Sequence, residues 1–219
     1  MMDASVVQTL VVYLLPVVFA ITLHEAAHGY VACRCGDQTA MWLGRVTLNP
    51  LKHIDPVGTV LIPLLILLAS VLTGTTPFLF GWAKPVPVNF TNLNHPKRDM
   101  RYVAFAGPAA NLLMVVLWAV LLKLLWTMHV TESFFLEMAK AGVLVNLVFA
   151  ALNLLPILPL DGGRILLGLL PNSVAYHFSR TEPYGMIILI ALVVLNVLPI
   201  VIQPFVQTGV GILSFFLSL

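Results

Sequence analysis

Residues 4–28 read ASVVQTLVVYLLPVVFAITLHEAAH, an uncharged apolar run that ends in a His-Glu-Ala-Ala-His motif. A helix needs about 20 apolar residues to cross the hydrocarbon core of a bilayer, and this run is long enough. Of all 219 residues, 60% are hydrophobic and only 9% are charged, whereas soluble domains carry about 25% charged residues. The sequence therefore predicts an all-α polytopic membrane protein. The net charge of +2, without a basic block, gives no indication of nucleic-acid binding.

The motif at 24–28 has the spacing of a metal site. In a helix, His24 and His28 lie one turn apart on the same face, where both imidazoles can bind one Zn²⁺. Glu25 lies beside them and can act as the general base of a hydrolytic reaction. Because the helix is apolar enough for a bilayer, the expected substrate also lies in the membrane.

A third metal ligand is expected, because catalytic zinc sites use three protein ligands and a water. Asp161 is the strongest candidate, since it follows an uncharged run and an ionisable group at such a place indicates function. Gly162 and Gly163 would allow a sharp turn that aims its carboxylate inward. The alternative is that Asp161 only caps the helix that begins near Gly162.

The apolar segments predict about six transmembrane helices and one integral membrane domain over 1–219. Its catalytic core is expected at about 4–164 and its C-terminal interfacial and transmembrane helices at about 165–219. Pro171 is expected to break an interfacial helix, and Pro199 and Pro204 to divide the tail into two short helices. The segments are 4–31, 57–72, 102–122, 134–155, the interfacial stretch 164–180 and the tail 183–219.

Basic residues predict the orientation of the chain. The N-terminal tail has no lysine or arginine, so the N-terminus is expected outside and the metal site toward the cytosolic side. Three loops carry positive charge and are expected in the cytosol. Their basic residues are Arg34, Arg45 and Lys52, then Lys97, Arg98 and Arg101, then Arg164 and Arg180.

This orientation requires the chain to return through the membrane near 78–90. Pro85 and Pro87 oppose a helix there and favour extended backbone. We expect a re-entrant, β-like segment that lines an internal cavity, and the alternative is a plain surface loop. The N–H groups of Val86 and Val88 would face the same way and could pair with an extended substrate.

Two asparagines are further candidates for contact with the substrate or its oxyanion. Asn153 lies eight residues before Asp161 and could donate a hydrogen bond to a developing oxyanion, or it could simply bind a neighbouring helix. Asn111 ends the small-residue stretch Gly-Pro-Ala-Ala-Asn at 107–111. That stretch favours close packing against the helix of the 24–28 motif, with Asn111 supporting the metal ligands.

Together these motifs resemble the site-2 proteases, a family of intramembrane zinc metalloproteases. The resemblance rests on HEAAH at 24–28, GPAAN at 107–111 and NLLPILPLDGG at 153–163. Two further stretches, 49–59 and 81–89, resemble the compact prokaryotic branch, which lacks the PDZ or CBS domain of other members. The resemblance implies one zinc per chain, held by His24, His28 and Asp161, with Glu25 as catalytic base.

The resemblance also implies regulated intramembrane proteolysis, in which a transmembrane helix of a substrate protein is unwound near the zinc and cut. The expected location is a prokaryotic cytoplasmic membrane, the expected partners are membrane-protein substrates and the bilayer, and a homo-oligomer is left open. The alternatives are a metal-binding membrane transporter and an inactive membrane chaperone on the same scaffold. Glu25 argues against a transporter, which has no need for a non-ligating glutamate between two histidines.

Overall fold

The computed structural model describes residues 4–62, 65, 68 and 83–217, and within them all regular structure is helical, with no strand. Short non-α turns occur at Pro50–Lys52, Pro56–Leu61 and Phe90–Asn92. The α-helices are α1 (Ala4–Arg34), α2 (Thr39–Trp42), α3 (Pro96–Thr127), α4 (Ser133–Asn153), α5 (Asp161–Leu169), α6 (Asn172–Ser179), α7 (Glu182–Val194) and α8 (Val197–Leu217).

Four of the described helices are long and apolar enough to cross a membrane: α1, α3, α4 and α8. Large apolar side chains are exposed along them, for example Leu14 at 63%, Leu113 at 61% and Phe215 at 80%. Such a surface suits lipid rather than water. The all-α class is thus confirmed and these four helices indicate a membrane protein, whereas the count of about six spans is not confirmed. Most of the helix expected at 57–72 lies outside the described residues.

The core that positions the site is formed where α1 packs against both α3 and α4. Trp118 of α3 is buried within this core and lies directly over Gly142 of α4, where a Cβ would collide with its indole ring. Small residues on α1, including the fully buried Ala20 and Ala32, allow the same close approach. The three helices are therefore held at fixed registers.

Helix α3, which was expected to begin at residue 102, begins at Pro96. Proline is well suited to the first helical position, and Oδ2 of Asp99 accepts a hydrogen bond of 2.8 Å from the N–H of His95. This first turn is rich in charge, so an argument from apolar length alone could not include it.

The tail does form two helices, but the break differs from the expected one. It lies at Asn196, whose φ of 55° is left-handed, a conformation that asparagine tolerates better than most residues. Pro199 stands in the first turn of α8, where a proline removes no helical hydrogen bond. Pro204 lies inside the helix. By contrast, the expected break at Pro171 is confirmed, because it separates α5 from α6.

Residues 83–92, here named the strap, cross the end of α1 and lead into α3. Residues 83–89 have no regular secondary structure, and residues 78–82 of the expected re-entrant segment lie outside the described residues. The carbonyls of Lys84 and Pro85 accept hydrogen bonds from Arg45, at 2.8 and 3.3 Å. The re-entrant, β-like form is not confirmed.

Candidate metal centre

The helical spacing of the 24–28 motif brings both imidazoles to one point on the inner face of α1. Nε2 of His24 and Nε2 of His28 lie 3.0 Å apart. Their side chains are only 11% and 12% exposed. Both ring nitrogens therefore face a small, nearly closed space between α1 and α3.

Asp161 faces the same space from the start of α5. Its Oδ2 lies 3.2 Å from Nε2 of His24, and its Oδ1 lies 3.3 Å from Nε2 of His28. The residue before α5 is Leu160, and no side chain forms a capping hydrogen bond there. The capping alternative for Asp161 therefore finds no support in the geometry.

Two glycines bring Asp161 to this position. A Cβ on Gly162 or Gly163 would lie within 2.7 Å of backbone atoms in the turn that follows α4. Neither glycine has a positive φ, unlike Gly36 and Gly44. Their function is therefore to let α5 fold closely against the end of α4, rather than to provide an unusual backbone angle.

The three side chains fit a metal ion. Their donor atoms all lie within 4.8 Å of one another, and ligands on a tetrahedral zinc are expected roughly 3.4 Å apart. Oδ2 of Asp161 is buried and has no hydrogen-bond partner among the described residues, which is costly for a carboxylate unless a cation neutralises it. Gly107 of α3 forms the opposite wall, because a Cβ there would collide with both imidazoles. Two imidazoles and a carboxylate form one of the ligand sets of catalytic zinc.

The far side of each imidazole is fixed by α3. Nδ1 of His24 donates to Oδ1 of Asn111, and Nδ1 of His28 donates to the carbonyl of Val103, both at 2.7 Å. A hydrogen on each Nδ1 leaves each Nε2 lone pair directed at the space between the three side chains. The sequence gives no signal for Val103, because it contributes only its backbone.

Glu25 lies beside the three side chains and contacts the strap. The N–H of Val86 donates to its Oε2 at 2.6 Å, and Oε1 makes no hydrogen bond within the described part of the chain. Val86 is buried and lies over Gly29, one turn further along α1. One oxygen of the carboxylate is thus held and the other remains available.

The structure separates the remaining candidates. The amide of Asn153 donates to the Phe149 carbonyl of its own helix at 3.1 Å. Asn111 lies behind His24, rather than on the open side of the three-residue cluster that His24, His28 and Asp161 form. The N–H of Val88 makes no hydrogen bond with the described residues. Sequence reasoning did not identify Asn146 of α4, whose buried side chain accepts from Asn111 at 2.9 Å.

A buried carboxylate anchors the strap at a distance from the three-residue cluster. Asp37 is fully buried, and its oxygens accept hydrogen bonds from Thr39, from the Asn89 N–H and from the Asn92 side chain. Burial alone would raise the pKa of Asp37, but these hydrogen bonds outweigh it and hold that pKa below its usual range. Asp37 therefore ties the turn after α1 to the strap.

Comparison with known proteins agrees with this geometry. The chain is 37% identical over 197 residues to "Putative zinc metalloprotease YwhC" of Bacillus subtilis, covering 88% of the chain and 84% of that protein. It is 31% identical to "Putative zinc metalloprotease Rip2" of Mycolicibacterium smegmatis, covering 80% of the chain and 63% of that protein. Rip2 of Mycobacterium tuberculosis is 29% identical over 65% of the chain and 51% of its own length.

No protein-family model matches the chain, and no solved structure gives a significant match. The names of the relatives favour a metalloprotease over the transporter and chaperone alternatives. The identity to YwhC extends over most of both proteins. The chain therefore belongs to the zinc metalloprotease family represented by YwhC and Rip2.

Proposed function

We propose that the protein is a zinc-dependent endopeptidase of the site-2 type, which cuts transmembrane helices of other membrane proteins within the bilayer. The observation that carries this proposal is that Asp161 meets His24 and His28, which lie on a helix long enough to cross a membrane. A hydrolytic site on such a helix is accessible to substrates that lie in the same bilayer. The reaction would be regulated intramembrane proteolysis.

The two Nε2 atoms and the Asp161 carboxylate would hold one zinc ion per chain. When bound, zinc lowers the pKa of its water from about 15.7 toward roughly 7 and polarises the scissile carbonyl. The chain preshapes the site, because Gly107 and the fully buried Asn111 close it from the side of α3.

Glu25 would act as the general base. Its free Oε1 would take a proton from the attacking water and later pass that proton to the leaving amine. The hydrogen bond from Val86 holds the other oxygen, so the carboxylate is oriented before the substrate binds. Because the carboxylate is already oriented, less conformational entropy has to be lost when the transition state is reached.

The substrate must expose its backbone, because a helix hides its carbonyls in i→i−4 hydrogen bonds. The strap is the element best placed to bind an unwound substrate, since it lies against Glu25. The N–H of Val86 is already used, so Val88 offers the more available donor for pairing by strand addition. An oxyanion role fits Asn153 better than Asn111, because both amide hydrogens of Asn111 are used, by Ala20 and Asn146.

We further propose that the N-terminus is outside and that the metal site opens toward the cytosol of a prokaryotic cell. The basic residues that flank the apolar segments support this orientation. The lipid bilayer and single-pass membrane proteins are the proposed partners. No prediction is made on whether copies of the chain form a homo-oligomer.

The direct test is incubation of the purified protein with single-pass membrane substrates, with and without a zinc chelator. Mass spectrometry then maps any cut relative to the membrane segment of the substrate. We expect cleavage inside that segment, its loss with the chelator, and its loss in Glu25→Gln with zinc still bound. Undiminished cleavage by Glu25→Gln, or a cut confined to the loops of the substrate, would overturn the proposal.

A further inference from the structure

Two buried asparagines form a polar path behind the candidate metal centre. Asn111 of α3 and Asn146 of α4 are both fully buried in an otherwise apolar core. Asn111 contacts His24, whereas Asn146 contacts Asn111 and does not reach any of the three candidate ligands. A buried amide in such a core is retained at a cost unless its hydrogen bonds are satisfied.

The backbone carbonyls of Gly142 and Ala20, at which this hydrogen-bonded path ends, determine which amide atom donates and which accepts at each step. Nδ2 of Asn146 lies 2.8 Å from the carbonyl of Gly142, and a carbonyl can only accept. Asn146 must therefore turn its Oδ1 toward α3, where it accepts from Nδ2 of Asn111 at 2.9 Å. The second hydrogen on that Nδ2 reaches the carbonyl of Ala20, at 3.3 Å.

The remaining atom of Asn111, its Oδ1, consequently faces Nδ1 of His24 at 2.7 Å. An oxygen there requires a hydrogen on Nδ1, so Nε2 of His24 carries a lone pair instead. If the amide of Asn111 were reversed, its NH₂ group would favour the other tautomer, with a hydrogen on Nε2 where a metal would bind.

We propose that Asn146 is a positioning residue, which sets the amide orientation of Asn111 and thereby the metal-binding tautomer of His24. This inference rests on the proposed zinc site. Reversal of Asn111 would place oxygen against oxygen at both Asn146 and Ala20, which is unfavourable in a dry core. Without the acceptor on Asn146, one of these two constraints is lost and the reversed amide becomes accessible.

The test measures zinc affinity and the tautomer of His24 in Asn146→Leu, Asn111→Leu and the double variant. Removal of a group that orients a metal ligand typically lowers metal affinity by about 10- to 100-fold. We expect a loss in this range for Asn111→Leu and a loss of at least about threefold for Asn146→Leu, which acts through it. The double variant should lose no more than Asn111→Leu alone, because Asn146 then has nothing to orient.

Ring ¹⁵N chemical shifts of zinc-free protein report the tautomer directly. We expect the Nδ1–H form of His24 in the wild type and a growing share of the Nε2–H form in Asn146→Leu. Asn146→Asp is the conservative variant. A protonated aspartic acid can donate to Gly142 and accept from Asn111, so it should restore most of the affinity.

Asn153→Leu is the matched control, because Asn153 lies on the same helix and also donates to the carbonyl four residues before it. Its zinc affinity and tautomer should match the wild type. The inference is overturned if Asn146→Leu keeps the wild-type tautomer, or if its loss in affinity is equally large in the Asn111→Leu background. Both readouts are independent of proteolysis, so a wild type that binds zinc but cuts no membrane substrate would refute the proposed function alone.

Discussion

The backbone N–H of Val86 donates a 2.6 Å hydrogen bond to Oε2 of Glu25. This contact joins the strap to the residue that we propose as catalytic base, across a separation of 61 positions in the chain. A hydrogen bond to a charged group is worth more than one between neutral groups. The strap therefore has a structural link to the residue proposed for the chemistry.

Val86→Pro removes this N–H and should lower kcat by about tenfold, the cost of one hydrogen bond to a carboxylate. The residues on either side are already prolines, which favour extended rather than helical backbone. Metal analysis should show zinc retained. Val86→Ala keeps the N–H and should lose less activity than Val86→Pro, whereas faster cleavage by Val86→Pro would show that the contact restrains Glu25 instead of orienting it.

Asp161→Ala should lower zinc content and proteolysis together, because it removes one of the three donor groups that face one another. The zinc-to-protein ratio of the folded, purified variant is the measurement. Glu25→Gln serves as the reference, since it should be inactive with zinc retained. If Asp161→Ala kept its zinc, the carboxylate would not be a ligand.

Gly107→Ala should weaken zinc binding, because the added methyl group would lie within about 3 Å of both imidazoles. Isothermal titration of the metal-free protein with zinc measures the effect, and a loss of about tenfold or more is expected if the rings are displaced. Gly211→Ala in α8 is the control, since its Cβ would meet nothing within 4 Å. Equal zinc affinities for the two variants would contradict this account of the wall.

Replacement of residues 85–88 by a Gly-Ser sequence should weaken cleavage of a helical membrane substrate strongly while zinc content stays unchanged. The strap lies on Glu25 and not on the three candidate ligands, so the metal should be unaffected. A short, already extended peptide needs less help to stay unwound and should suffer less. Equal losses for both substrates would indicate a general folding defect, and no loss would leave the strap as a surface loop.

Asp37→Asn should lower the apparent melting temperature in detergent at neutral pH. The Asp37 carboxylate accepts hydrogen bonds from Thr39, in the segment after α1, and from Asn89 of the strap, and so joins the two segments. The pKa of Asp37 is lowered in the fold, so its stabilisation is complete above the unfolded pKa of about 3.9. That stabilisation is lost as the pH falls through the lower folded-state value. The difference between variant and wild type should therefore narrow in acid, and a constant difference would exclude the charge as its origin.

The sequence was sufficient to indicate His24, His28 and Asp161, because helical spacing and an ionisable group after an apolar run are local signals. It was not sufficient for Asn146, whose partner belongs to another helix and whose surroundings are set only by packing. The start of α3 was missed because its first turn is charged, and the break at Asn196 because the nearby prolines were stronger signals. Features that depend on one residue type at one spacing were predictable, and those that depend on contacts between helices were not.

The donors of the candidate metal centre lie toward the end of α1 and at the start of α5, with α3 and α4 between them in the chain. A growing polypeptide that has delivered only α1 to the membrane holds two histidines without their carboxylate. The centre can close only after α3 and α4 have been inserted and α5 has followed. Metal capture would then mark a late stage of biogenesis, and a truncated or stalled chain would remain without hydrolytic capacity in the membrane that hosts it.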